Sequence, residues 1–449
     1  MAAGGASAPA TYIEDVFSTY LYKGNGSTQT ITNGIDLAGK GGLVWIKSRT
    51  TASDHRFLDT LRGAGYYLSS DTTNAAATEI NGVSSFSGSG FDLGNNVGYN
   101  GSGTSYASWT FRRAPKFFDV VTFTTDSNGL ATFSHSLGAV PGMITMKATS
   151  STSGWTTWHR SLSSTSHYVQ LNTIAAEASL GTQWINPTAA SVSITYNGAL
   201  PANTAHVAYL FAHDTSADGI IQCGSFTADA NGNATVNLGW EPQYVMVKFA
   251  AQGSSGATSG GWAIYDSMRR LTVNGSNLLL ANSTGAELSD GEARPTSTGF
   301  TQNYNNASIG GATYIYLAIR RPNKPPTTGT QVFENVAYSG DASADRSVGV
   351  LGSVDLSLVK SRGGTNVPPS YGRWFDRLRG NALMLFPTTA DAEVLWGGGT
   401  TGAFFNQQQN GVLFKNVGGN DVNQSGVNKV LWNFRRAPGF FDEVCYTVS

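Results

Sequence analysis

Charge is scarce in this chain. Asp, Glu, Lys and Arg make up only 13% of its 449 residues and nearly cancel, leaving a formal net charge of -1 and a pI near 6.6. Proteins that neutralise many phosphates need a basic surface, so nucleic acid is excluded as an expected partner. Cysteine is scarcer still. Cys223 and Cys445 lie far apart in unlike phrases, which leaves neither a disulfide framework nor a Cys-based metal site, and both read as small apolar residues. Nowhere do about 18 apolar residues run together, and the opening MAAGGASAPATY lacks a basic segment followed by an apolar one. The expectation is a polypeptide made in a cytoplasm, with no secretory signal and no membrane insertion. Helical signals are also few: RFLDTLRG, YDSMRR, WFDRLRG and TTADAEV would each make one turn.

What the chain does have is glycine and aromatic residues: 54 Gly, 10 Trp, 18 Tyr and 22 Phe. The rings supply enough apolar surface to offset chain entropy, which argues against disorder, and the glycines suit short strands joined by tight turns. A length of 449 residues exceeds the roughly 100–200 of one domain and calls for several cores.

The sequence repeats. An apolar strand ending in lysine occurs four times, as LVWIKSR with Lys47, MITMKAT with Lys147, YVMVKFA with Lys248 and LSLVKSR with Lys360, at spacings of 100, 101 and 112 residues. One loop later come HRFLDTLRG, WTTWHRSLS, WAIYDSMRR and RWFDRLRG, and an alternating aromatic strand closes each unit: YASWTFRRAP, HVAYLFAHD, YIYLAIRRP and KVLWNFRRAP. Three landmarks in one order, four times over, define four modules. The expected boundaries are an N-terminal arm over 1–12, modules over 13–118, 119–219, 220–329 and 330–441, and a segment 442–449 that matches the opening strand of a module. That segment reads either as the start of a fifth module or as a strand completing a neighbouring sheet. RRAPKFFD from Arg112 is a tight joint, whereas RRPNKPPTTGTQ from Arg320 reads as a semi-rigid proline spacer.

Period-two alternation means sheet, and runs apolar on both faces, such as MITMK and YVMVK, mean strands buried between sheets or at a module interface. The expected fold is all-β with little helix: a tandem array of four homologous β-sandwich, jelly-roll-like modules, each of roughly eight to ten strands.

Asp59, Asp266 and Asp376 recur with Arg62, Arg269 and Arg379 three residues later. Such a pair can serve as acid and partner in a catalytic pocket, but its recurrence in three modules favours an internal pair that fixes a turn; the second module has His159 and Leu162 instead. Five of six histidines, His135, His159, His167, His206 and His213, fall in the second module without a metal-binding spacing, and are expected at the surface or in turns. DSNG at Asp126, DANGN at Asp229 and SGDASAD at Ser339 are oxygen-rich but lack the ligand ladder of a calcium loop, and read first as turns. The doublets Arg112/Arg113, Arg320/Arg321 and Arg435/Arg436 suit anionic glycans or phosphate, yet their place at module ends points to inter-module salt bridges, with Arg112, Arg320 and Arg435 as repeat positions. No GxSxG, phosphate loop or Cys–His pair occurs, so no enzyme, no cofactor and no metal are expected.

The phrases YKGNGSTQTITNGIDLAGKGGLVWIKSR, HRFLDTLRGAGYYLSSDTTNA, ASWTFRRAPKFFDVVTFT, HSLGAVPGMITMK, HVAYLFAHD, IIQCGSFT, PTSTGF and YIYLAIRRP together resemble a repeat family in virion proteins of tailed bacteriophages, especially those of marine bacteria. The resemblance runs from about Glu14 to the last residue. It implies a tail, tail-fibre or other structural protein located in the virion, carries no catalytic residues, and implies chains that continue after an FDVVCYT phrase, which FDEVCYT here is similar to. The fourth module departs most, at NVPPSYGRW and WGGGTTGAFF.

Four functions follow as expectations. The first is a projecting appendage touching host glycan or envelope, built as a stiff rod of stacked sandwiches, with the loop aromatics Trp155 and Trp158 as candidate ligand contacts. The second is an architectural virion component, a capsid decoration or tail adaptor. The third is a carbohydrate-binding module array, and the least favoured is a glycan-degrading spike. The first two expect self-association as a symmetric oligomer and contact with other virion proteins.

Overall fold

Alternating side chains in Phe17–Lys23 and Ser105–Arg112 make two strands that pair antiparallel along their length, Phe17 opposite Phe111 and Lys23 opposite Ser105. They are the first and last of nine strands in the first repeat. The computed structural model describes residues 11–253, 260–343, 346–363, 372–380, 383–395, 405–408, 411–414 and 422–446. The arm 1–12 falls almost wholly outside these residues, as do most of NVPPSYGRW and WGGGTTGAFF and the last three residues of the chain. The protein is all-β, as the alternation predicts.

The nine strands are β1 (Phe17–Lys23), β2 (Gln29–Thr32), β3 (Gly42–Ser48), β4 (Arg56–Asp59), β5 (Tyr66–Tyr67), β6 (Ala77–Thr78), β7 (Val83–Ser87), β8 (Gly90–Leu93) and β9 (Ser105–Arg112). One sheet has the order β1-β9-β3-β4, a second β2-β8-β7, and β5-β6 is a small hairpin. The first strand pairs with the last and the second with the last but one, the nested pairing of a jelly roll. The same two sheet orders occur four times along the chain, and in the second and third repeats the larger sheet runs on through two further strands. Phe118–Thr124, Ala205–Ala212, Pro141–Ala148 and Thr156–His159 repeat the larger sheet, then Ile221–Thr227, Thr313–Arg320, Pro242–Ala251 and Trp262–Asp266, then Phe333–Ser339, Asn428–Phe434, Leu356–Gly363 and Arg373–Asp376.

β3 is buried along its whole length because its two faces feed two cores. Val44 and Ile46 point inward with Ile31, Phe91, Leu93 and Tyr106, filling the sandwich between β1-β9-β3-β4 and β2-β8-β7. Leu43 and Trp45 point outward with Trp109 and Phe111 into a second core, which also takes Tyr209 and Phe211 from the second repeat and Tyr244, Met246, Leu317 and Ile319 from the third. Three repeats thus bury the outer faces of their larger sheets against one another. The expected rod of stacked sandwiches is corrected on this point: an outer face carrying Trp45, Trp109 and Phe111 is too apolar to leave in water, and mutual burial of three such faces satisfies all of them.

The chain divides into two compact units. One comprises residues 1–264, 278–288 and 298–321; the other comprises 265–277, 289–297 and 322–449. Within the second, Val273 N–H donates to the Leu378 carbonyl at 3.0 Å and Asn274 Nδ2 to that of Arg379 at 3.0 Å. YDSMRR makes the expected single turn, a 3-10 helix at Ser267–Arg269, whereas the α-helices lie elsewhere than expected, at Ile13–Val16, Leu37–Lys40 and Val97–Asn100. RFLD and RWFD are strands whose aspartates start tight turns, and TTADAEV holds no helix. Residues 442–446 form no strand, and Cys445 within them is exposed rather than packed.

Candidate functional site: the seams between repeats

The recurring aspartates end strands and hold the turn that follows. Asp59 Oδ1 accepts the Arg62 N–H at 2.9 Å while Oδ2 accepts Arg62 Nε at 2.6 Å. Asp266 and Arg269 repeat both distances with both side chains fully buried, and Asp376 holds Arg379 in the same way. Both carboxylate oxygens are engaged, which leaves none directed at a substrate. Asp59 does more: Tyr209 of the second repeat donates its hydroxyl to Oδ2 at 2.9 Å, and Arg62 Nη2 donates to that hydroxyl at 3.1 Å. Burial pushes the Tyr209 phenol well above its ordinary value, so it remains a donor to the carboxylate.

Two of the arginine doublets reach an acid through their second member. Arg113 reaches across the joint to Asp119 at 2.6 Å, and Arg436 pairs with Asp442 at 2.7 Å. Arg112 ends β9 opposite Gly42, and Arg320 donates to the Ala217 carbonyl at 3.0 Å rather than to an acid. Strand alternation is the reason: a doublet at a strand end sends its two side chains to opposite faces, and at the first joint the second faces the start of the next repeat's first strand, where Asp119 lies.

Trp155 and Trp158 are not loop contacts for a ligand. Trp155 is 0% and Trp158 5% exposed. Trp158 lies on Thr156–His159, and Trp155 directly precedes that strand with its ring centroid 5.2 Å from Phe57 and its Nε1 donating to the Ser69 carbonyl at 2.8 Å. His135, His159 and His206 are likewise buried rather than superficial. His159 makes a 3.1 Å hydrogen bond with the Tyr316 carbonyl of the third repeat, and burial pushes its pKa down to about 3, so it is neutral. No cluster of three His, Cys, Asp or Glu side chains suited to a metal occurs among the described residues. In the oxygen-rich loops the aspartates cap their own turns: Asp126 Oδ1 accepts from the Asn128 and Leu130 amides, and Asp229 Oδ1 from those of Asn231 and Asn233.

The residues that the sequence reading used only as landmarks prove to be the seam itself. Lys47, Lys147 and Lys248 are each 0% exposed. Lys47 Nζ donates to the Thr284 carbonyl at 3.1 Å, Lys147 Nζ to that of Thr73 at 3.1 Å, and Lys248 Nζ to that of Ile174 at 3.0 Å. The first repeat therefore reaches the third, the third the second, and the second the first. Three further bonds follow the same cycle. The backbone N–H groups of Ser53, Ser153 and Gly260 donate to those same three carbonyls at 2.9, 2.9 and 3.0 Å. The amides of Glu287, Ala76 and Glu177 answer by donating to the carbonyls of Arg49, Thr149 and Ala250 at 2.9, 2.9 and 2.8 Å. The rings of His55, Trp155 and Trp262 reach the carbonyls of Leu280, Ser69 and Gln170 at 3.0, 2.8 and 3.0 Å. Arg49 adds a two-pronged ion pair with Glu287 at 2.9 and 2.7 Å. A sequence signal for this existed: a lysine ending a strand apolar on both faces must find oxygen partners beyond its own sandwich.

The family model described as "Domain of unknown function (DUF7483)" matches residues 13–322, and the chain belongs to that family. The matched span ends beside Arg321, where the first compact unit also ends. No curated protein matches the chain.

Proposed function

We propose that this member of the DUF7483 family is a structural protein of a tailed-bacteriophage virion, a tail fibre or other projecting appendage that contributes to attachment at host glycan or envelope. The resemblance of its repeats to virion proteins motivates the reading. The observation that carries it is the closed cycle of three repeats, in which the outer sheet faces, Lys47, Lys147, Lys248 and the Asp59–Arg62 pair are all turned to contacts between or within repeats. Side chains engaged in this way make a stiff building block and perform no reaction. Its partners in this reading are other copies of itself, other virion proteins and a cell-surface glycan. Contact with the host then falls to loops outside the seams, since Trp155 and Trp158 are buried.

A second reading, an architectural virion component without a receptor, is favoured by the fourth repeat, whose larger sheet keeps Phe333 and Trp374 exposed. One experiment separates the two. Fluorescently labelled chain is added to a panel of candidate host bacteria and set in competition with phage adsorption. Saturable binding that slows adsorption supports attachment; folded protein that binds no strain and leaves adsorption unchanged supports architecture. An immunoblot of purified particles tests the virion assignment itself, and absence of the chain from them overturns it.

A further inference from the structure

The fourth repeat carries both halves of the seam, and among the described residues both are open to solvent in part. Its strand register makes the comparison with the first repeat position by position: Phe333 faces Phe434 as Phe17 faces Phe111, and Leu356 faces Asp376 as Leu43 faces Asp59. In the first repeat the outer face is closed, with Phe17, Trp45 and Phe57 each 3% exposed and Trp109 and Lys47 at 0%. In the fourth, Phe333 is 36% and Trp374 37% exposed, Leu358 and Trp432 are half-buried, and Lys360, the counterpart of Lys47, is exposed. A shallow groove on this face is lined by Asn335, Ala337, Lys360, Arg362, Val430 and Trp432.

The receiving half can be located by the same register. In each of the first three repeats, the residue whose amide answers across the seam lies eight positions beyond the one paired with the outward residue of the fourth strand. Phe57 pairs with Leu68 and Ala76 answers; Thr157 pairs with Val169 and Glu177 answers; Ile264 pairs with Leu279 and Glu287 answers. The lysine of the neighbouring repeat is received three positions earlier, at Thr73, Ile174 and Thr284. In the fourth repeat Trp374 pairs with Leu385, which assigns Glu393 as the answering amide and the Ala390 carbonyl as the lysine acceptor. Residues 391–395 are exposed, Val394 by 37% and Leu395 by 49%.

We propose that the fourth repeat is a trimerisation module, in which three copies of the chain rebuild between them the cycle that the first three repeats form within one chain. Lys360 of each copy donates to the carbonyl of Ala390 of the partner subunit, and Arg362, the counterpart of Arg49, pairs with Glu393 of the partner subunit. The occupant is a second copy because the surface that fits this face is a repeat of the same kind with an open receiving segment. Among the described residues the lysines and receiving carbonyls of the other three repeats are engaged with one another. A head-to-tail contact of this kind closes or propagates according to its rotation, and the first unit shows that this one closes after three. The charges also match: Lys360 and Arg362 on the face meet Asp391 and Glu393 on the receiving segment, where Glu393 Oε2 already accepts from Arg379 Nη1 of its own chain at 2.8 Å, so that in the assembly Arg362 joins Arg379 on one carboxylate.

The test is the mass of the full chain in solution at micromolar concentration, by light scattering after gel filtration and by sedimentation. The expected mass is three times the 47.3 kDa of one chain. Trp374→Asp and Trp432→Asp place a charge at the centre of the face, and both are expected to reduce the mass to that of one chain. Their circular dichroism should match that of the parent, because neither side chain is fully buried, and their melt should stay cooperative at a midpoint lowered by the loss of association. A parent chain that is monomeric under these conditions overturns the proposal and leaves the face to a different partner. A dimer or tetramer overturns the three-fold plan, and a trimer that both variants retain places assembly on another surface.

Discussion

Trp155 of the second repeat donates its indole N–H to the Ser69 carbonyl of the first at 2.8 Å, and Trp262 of the third does the same to Gln170 of the second at 3.0 Å. Two indoles some hundred residues apart therefore carry out one task, joining each repeat to the one before it. Removing the donor leaves a buried carbonyl unpaired, which costs about 1–3 kcal/mol. Trp155→Phe is expected to destabilise the protein by that amount in guanidinium unfolding and to leave binding to cells unchanged. Loss of cell binding with unaltered stability would restore Trp155 as a ligand contact.

The Asp266–Arg269 pair is fully buried on both sides, whereas the side chain of Asp54, which pairs with Arg56, is 40% exposed. Asp266→Asn keeps the shape but strands a buried guanidinium, at a cost of about 3–5 kcal/mol. Asp54→Asn removes a screened pair worth about 0–1 kcal/mol. Equal effects in denaturant titrations of the two variants would contradict the assignment of Asp266 as a turn-fixing partner.

The all-β class was legible because LVWIK and YIYLAI alternate, and the repeats because Lys47, Lys147, Lys248 and Lys360 recur at near-constant spacing. The closed cycle was not. MITMK shows that a strand is covered on both faces, but the atoms that receive the lysine ends are backbone carbonyls of Thr73, Ile174 and Thr284, and a carbonyl has no residue identity for sequence to display. Trp155 was misplaced for a related reason. The segment before it, STSG, reads as an exposed loop, yet in the fold that loop is closed over by residues 73–76 of another repeat. Which member of an arginine doublet meets an acid was a question of strand phase, and Asp119, which settles it, lies in the next repeat.

Gly232 sits in the turn capped by Asp229 with φ of 83°, and a Cβ there would lie 2.4 Å from the Asn306 carbonyl oxygen. Gly34 has nearly the same φ, 82°, but open space around it. Alanine at either position carries the left-handed penalty of roughly 1–2 kcal/mol. Only Gly232→Ala must also push backbone apart, so it is expected to lower the melting temperature further than Gly34→Ala. Similar melting temperatures for the two would show that the Asn306 loop yields freely.

The buried lysines set the pH dependence of the first unit. Burial lowers Lys47 and Lys147 to about 8 and Lys248 to about 7, with Asp71 and Asp54 partly opposing the shift at Lys47. In the unfolded chain the same amines keep their protons up to about pH 10.4. Between pH 7 and 10 the unfolded state therefore binds more protons than the folded one, and stability must rise with pH across that window. Above it the sign reverses: burial raises Tyr22 and Tyr209 well beyond their ordinary value, so the folded protein holds protons that the unfolded chain releases from about pH 10. Thermal melts are expected to show a higher midpoint at pH 9 than at pH 7 and a decline above pH 10. Lys248→Met fills the same space without a charge, so the rise should become shallower in that variant while the decline persists. A midpoint that falls steadily from pH 7 to 9 in the parent would mean that the carbonyls of Ile174, Ala175 and Gly260, which accept from Lys248 Nζ at 3.0, 2.7 and 2.6 Å, more than offset the loss of water around the ammonium.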